Sequence, residues 1–235
     1  GGCRAVPVPL GDGWHLDLSA VSDGDAARAL LLWVNEPGNP TGSQSAGGPL
    51  GDGVAWARAR GILVASDECY VEFNWDDAGD PAPGATALSA GVDGVLAVHS
   101  LSKRSNMAGY RCGFVAGDGD LVAYIGSVRT HAGMMVPGPI QAAATAAWAD
   151  DAHVEGQRAR YAERRRYARS RLAETGTLVA AGDLYGDGGA GYVRIALVEP
   201  LERLELAFDR TALPGTPRTP GVVHHSMLPT GGPQS

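Results

Sequence analysis

The chain has 235 residues, 44% of them hydrophobic, and a formal net charge of −7, enough for one large domain or a domain and a half. The acidic balance argues against a general affinity for nucleic acid, and no apolar run approaches the roughly 20 residues that span a bilayer. Three widely spaced cysteines (Cys3, Cys69, Cys112) argue against a disulfide framework and, with no signal peptide in the opening Gly1-Gly2-Cys3-Arg4, point to a reducing, cytoplasmic compartment.

In chain order, Val6-Pro7-Val8 reads as strand-like. Leu30 to Val34 is a short apolar strand ending in Asn-Glu-Pro-Gly, a turn. Val54 to Arg60 reads as a helix stopped by Gly61. Ile62 to Ala65, Val95 to Val98 and Gly113 to Ala116 read as buried strands. Helices are predicted at about 120–131, 140–149 and 151–174. The last carries seven arginines between Arg158 and Arg171, read as a solvated helix face. Tyr192 to Leu197 alternates like a half-exposed strand, and Leu201 to Asp209 like a short helix. From Thr211 onward, prolines and glycines without periodicity indicate a disordered tail. Apolar strands separated by helices indicate an α/β layered sheet.

The chemistry falls where open α/β sheets place their ligands, after the carboxyl ends of strands. Asn35-Glu36-Pro37-Gly38-Asn39-Pro40-Thr41-Gly42 is a rigid turn presenting the Asn39 amide. Asp67-Glu68-Cys69-Tyr70 follows one strand and Ser100-Leu101-Ser102-Lys103 another. Arg111 stands eight residues beyond Lys103. Lys103 is the only lysine among 19 basic side chains. An amine, unlike a guanidinium, can deprotonate and condense with an aldehyde. The set answers the needs of pyridoxal 5'-phosphate. Lys103 suits the aldehyde, and Asp67 suits the pyridine nitrogen. Tyr70 with Asn39 suits the ring oxygen, and Ser100, Ser102 and Arg111 suit the phosphate.

These motifs resemble those of fold type I, class I/II aminotransferases, over about residues 1–200. The resemblance implies a large domain with a mostly parallel sheet in a three-layer αβα arrangement and a shortened C-terminal α/β small domain. The boundaries it suggests are a partial large domain at 1–150, a small domain at 151–210 and a tail at 211–235. It implies Lys103 as the Schiff-base lysine and proton carrier, and Asp67 as the pyridinium partner. Tyr70 and Asn39 would bond the ring oxygen, and Ser100, Ser102 and Arg111 the phosphate. Arg194, with Asn39, would hold the substrate carboxylate. Amino-acid and 2-oxo-acid substrates and a homodimer are implied as partners, without nucleic acid or membrane.

A narrower resemblance lies in Ser102 to Arg111, His131 to Pro137 and Asp150 to Val154, which are similar to N-succinyldiaminopimelate aminotransferases. It implies amino transfer between glutamate and a keto-pimelate precursor of lysine. Another class I/II aminotransferase, a pyridoxal phosphate β-lyase, and a non-catalytic fragment are the alternative readings. Compared with the family, the chain looks truncated before Val6 and shortened after Glu174.

Overall fold

The structure is a computed structural model, and it describes residues 2–11, 14–44, 48–76, 79–174, 180–181, 192–211 and 227–229. The elements run in the order α1 (Asp23–Ala26), β1 (Leu31–Asn35), α2 (Gly48–Arg58), β2 (Leu63–Asp67), β3 (Asn74–Trp75), β4 (Pro81–Ala82), β5 (Val95–Ser100), α3 (Leu101–Arg104), β6 (Gly113–Gly117), α4 (Gly119–His131), α5 (Gly138–Trp148), α6 (Ala152–Glu174), β7 (Ala180–Ala181), β8 (Tyr192–Arg194), α7 (Leu201–Thr211) and β9 (Met227–Pro229). They divide into two compact units. The first comprises Gly1–Pro37, Ser43–Asn74 and Pro83–Val154, and the second Gly38–Gly42, Trp75–Ala82 and Glu155–Ser235.

In the first unit, a four-stranded sheet runs in the order β1-β2-β5-β6. β1, β2 and β5 are parallel, with Asn35 beside Asp67 and Asp67 beside Val98. Their carboxyl ends therefore lie side by side. β6 returns antiparallel, pairing Ser100 with Gly113 and Leu96 with Gly117. Glycine is required at both ends of this pairing. A Cβ on Gly113 would sit 2.2 Å from the His99 carbonyl oxygen, and one on Gly117 2.0 Å from that of Val95.

Period-two alternation drives one face of the sheet inward. Leu32, Val34, Val64 and Val95 pack with Leu50, Val54 and Ala57 of α2 and with Ala87. Gly61 turns the chain out of the α2 segment at φ +67°, a left-handed conformation that glycine adopts without strain. On β1 the alternate side chains stay exposed, Leu31 at 48% and Trp33 at 56%. Leu101, Cys112 and Ala144 form a second cluster where α3 meets α5.

In the second unit, Ala168 of α6 packs with Leu204 and Phe208 of α7. β7, β8 and β9 form a small antiparallel sheet. α6 overturns one expectation. Its arginines do not all face solvent, since Arg165 is only 8% exposed and sits 5.7 Å from the Trp75 ring centroid. The Arg158 side chain donates to the Ala82 carbonyl at 2.9 Å. A long aliphatic stem lets an arginine lie against packed surface, which helical periodicity alone cannot reveal.

Two other expectations are corrected. Val6–Val8 forms no strand; nearby there is only an isolated bridge between Leu10 and Leu16. β8 stops at Arg194, short of Leu197. Most of the 211–235 tail lies outside the described residues.

Candidate active site

The site is built at the carboxyl end of the parallel strands. β2 ends on Asp67, whose carbonyl accepts the Asn35 side-chain amide at 3.2 Å. The Asp67 Oδ1 accepts the Cys69 N–H at 3.1 Å. β5 runs on to Ser100, which caps α3: its Oγ accepts the Ser102 N–H at 3.1 Å and donates to the Ser102 hydroxyl at 2.9 Å. α3 is a single turn, and Lys103 stands in it. The Lys103 Nζ lies 5.5 Å from the Tyr70 ring centroid. Among the described residues it has neither a carboxylate partner nor a hydrogen bond.

Cys69 reports how closely these groups gather. Its thiol is pushed up to about 12, first by burial, then by its hydrogen bond to Asp67 and by the charge of Asp67. Ser100 and the Lys103 charge act on it in the opposite sense. Asp67, Ser100 and Lys103 therefore all act on one thiol, which stays neutral. Cys69 had no assigned role in the sequence, and its signal was only its position between Asp67 and Tyr70.

Arg111 follows the short turn Ala108–Tyr110 in a left-handed conformation, φ +52°. It is exposed, and one guanidinium nitrogen donates to the Ala108 carbonyl at 3.0 Å. The pairing of Ser100 with Gly113 brings the backbone just after Arg111 to the Ser100 end of the sheet. Asn39 belongs to the second unit and is described apart from this cluster. Arg194 closes β8, and its side chain lies outside the described residues.

Behind the site is a buried pair that sequence reasoning missed. Glu68 is fully enclosed. It accepts the Ala87 N–H at 2.8 Å, and the His99 Nε2 lies 3.3 Å from its other oxygen. Burial works against the Glu68 carboxylate, but the polar groups of His99, Ala87, Thr86 and Ser66 outweigh it and hold the pKa below its usual range. His99 stacks on Phe114 with centroids 4.9 Å apart.

The model of the class I and II aminotransferases matches residues 1–184. The chain belongs to this family. A probable aminotransferase of Mycobacterium tuberculosis is 44% identical over a 211-residue alignment covering 77% of this chain and 50% of the relative. The 4-dedimethylamino-4-oxo-anhydrotetracycline transaminase of Streptomyces rimosus is 42% identical, covering 77% of this chain and 59% of its own length. Among solved structures, a probable N-succinyldiaminopimelate aminotransferase from Thermus thermophilus superposes with a TM-score of 0.74 at 26% identity, covering 88% of this chain and 65% of that one. The chain thus spans about half to three-fifths of the length of these two curated relatives.

Aminotransferases of this family depend on pyridoxal phosphate, and the donors present fit it. The one lysine amine lies beside a tyrosine and has no ion-pair partner among the described residues. A carboxylate stands at the adjacent strand end, and two bonded hydroxyls cap the intervening turn. Carboxylate, amine and hydroxyl donors of this kind match a pyridine nitrogen, an aldehyde and a phosphate respectively.

Proposed function

We propose that the complete protein is a pyridoxal phosphate-dependent aminotransferase. The observation that carries this reading is that neighbouring parallel strands end at Asp67 and at Ser100, which caps the turn carrying Lys103, with the Lys103 amine 5.5 Å from the Tyr70 ring centroid. Bound cofactor supplies an aldehyde and an electron-withdrawing ring. The chain's own groups do the rest. Asp67 would hold a proton on the pyridine nitrogen, and Tyr70 and Asn39 would donate to the ring oxygen. Ser100, Ser102 and Arg111 would hold the phosphate. Lys103 Nζ would hold the aldehyde and, once the substrate amine had displaced it, would be the free base that carries the proton at the substrate Cα. Arg194 would grip the substrate carboxylate through its planar fork. Cys69 stays a thiol, so no thiolate competes with the amine for the aldehyde.

The substrate reading is N-succinyl-LL-2,6-diaminopimelate with 2-oxoglutarate, in lysine biosynthesis. It is supported by the motifs at 102–111, 131–137 and 150–154 and by likeness to the Thermus thermophilus protein. A homodimer in the cytoplasm completes the proposal. The test is a half-reaction of the full-length, cofactor-loaded protein with glutamate, followed by a panel of 2-oxo acids. Preferential amination of the N-succinylated keto-pimelate is the expected result. Preference for an aromatic or aspartate-derived acid would move the protein to another substrate class. Release of pyruvate and ammonia from a β-substituted amino acid would make it a lyase.

A further inference from the structure

The two residues after Lys103 are held by the junction between α5 and α6. Arg104 is 4% exposed. Its Nη1 donates to the Ala147 carbonyl at 2.7 Å, its Nε lies 3.3 Å from a Glu72 oxygen, and its Nη2 is paired with Asp151. Its guanidinium also lies 4.7 Å from the Trp148 ring centroid. Ser105 makes a separate attachment. Its hydroxyl is 2.9 Å from His153 Nε2, and His153 Nδ1 is 3.0 Å from Asp150. Asp150 is held ionised below its usual range, first by the His153 hydrogen bond and then by the Ala152 N–H. The ring N–H on Nδ1 therefore donates to Asp150, and in the neutral ring Nε2 accepts the Ser105 hydroxyl proton.

We infer that Arg104 and the Ser105–His153–Asp150 relay are positioning residues that anchor the turn carrying Lys103 onto the α5–α6 junction. The physical need is clear. α3 is a single turn, and so short a helix has little stability of its own. Among the described residues, the long Lys103 side chain makes no hydrogen bond or ion pair, only the contact with the Tyr70 ring. The backbone beneath it must then be fixed from outside, and Arg104 and Ser105 supply two independent attachments. The same Ser–His–Asp order serves hydrolases as a nucleophile relay. Here Ser105 closes the carbonyl end of α3, where a developing oxyanion is disfavoured.

This inference rests on the proposed role of Lys103, and its test can be read without that role. Hydrogen–deuterium exchange of the amides of residues 101–105 in the cofactor-free protein reads the turn directly. Ser105→Ala, Asp150→Asn, His153→Gln and Arg104→Lys should each speed exchange in this turn, by about tenfold for loss of one hydrogen bond. Ser105→Thr, which keeps the hydroxyl, should restore the parent rate. In the loaded enzyme, kcat of amino transfer should fall roughly 10- to 100-fold while KM changes little, as for a misplaced reacting group. If Arg104→Lys does not fold, the Ser105 and Asp150 variants carry the test.

An exchange rate within about twofold of the parent in the folded variants would show that the junction does not hold the turn carrying Lys103 and overturn the inference. Labelling of Ser105 by a fluorophosphonate would overturn it too, by making that hydroxyl a nucleophile. A parent protein that transfers no amino group would sink the proposed function, yet the exchange comparison would still decide the anchor.

Discussion

Glu68 and His99 face each other across neighbouring parallel strands, the carboxylate fully buried and its Oε2 3.3 Å from the imidazole Nε2. Each is next in sequence to a site residue: Glu68 follows Asp67, and His99 precedes Ser100. The contact therefore ties together the two strand ends that carry Asp67 and Ser100. Since the folded pKa of Glu68 lies below the ordinary glutamate value of 4.5, its ionised form stabilises the fold above that value. The contribution is lost as pH falls from about 4.5 through the lower folded pKa. Glu68→Gln should cost about 1–3 kcal/mol at pH 7, and the gap between variant and parent should close on acidification. Urea melts at a series of pH values check this. A pH-independent gap would mean that charge plays no part.

Asp67 and Cys69 are coupled, and the sign of the coupling is testable. Burial, the hydrogen bond to Asp67 and its negative charge hold the thiol near 12, so Cys69 should resist alkylation at pH 8 while exposed Cys3 reacts. Asp67→Asn removes the charge that raises the thiol pKa. Alkylation of Cys69 in that variant should begin at lower pH, by mass spectrometry of the modified peptide. An unchanged onset would mean that burial alone governs the thiol.

The same substitution bears on catalysis. Asp67→Asn keeps the shape and removes the carboxylate proposed to hold a proton on the pyridine nitrogen. The half-reaction with glutamate should slow on the order of 10³-fold. Stopped-flow measurement of the loaded, full-length protein checks this. A parent-like rate would remove Asp67 from the proposed role.

Lys103 can be assigned directly. Borohydride reduction of the loaded protein should abolish its visible band and leave the cofactor attached to the peptide containing Lys103. Attachment confined to the N-terminal amine would refute the assignment.

Arg165 should contribute little to stability despite its burial. Its Nε and Nη1 are buried without a hydrogen-bond partner among the described residues. Its pKa is lowered to about 10, first by burial and then by the Arg169 charge, with Asp76 opposing. Arg165→Met should therefore be neutral or stabilising by about 1–2 kcal/mol, as when a buried charge gives way to an apolar side chain. Denaturant midpoints measure it, and a large loss would show that the guanidinium is better satisfied than its contacts indicate.

The local chemistry was legible in the sequence because it follows strand ends. Asp67 and Ser100 close apolar runs, Lys103 is the one amine able to serve an aldehyde, and Gly61 ends a helical pattern, so neighbouring residues sufficed to place each. What needed the tertiary structure was every relation between distant segments. Strand periodicity says that a residue faces inward but not what it meets, so the contact of Glu68 with His99, 31 residues away in sequence, was invisible. The attachment of Ser105 to His153 spans 48 residues and was equally hidden. Arg165 shares the helix face of the buried Ala162 and Ala168, but its charge marked it as exposed; the packing of Trp75 beside it decided its burial. The antiparallel return of β6 had no local signal either, since direction is set by where the chain re-enters the sheet and by the closeness that Gly113 and Gly117 permit.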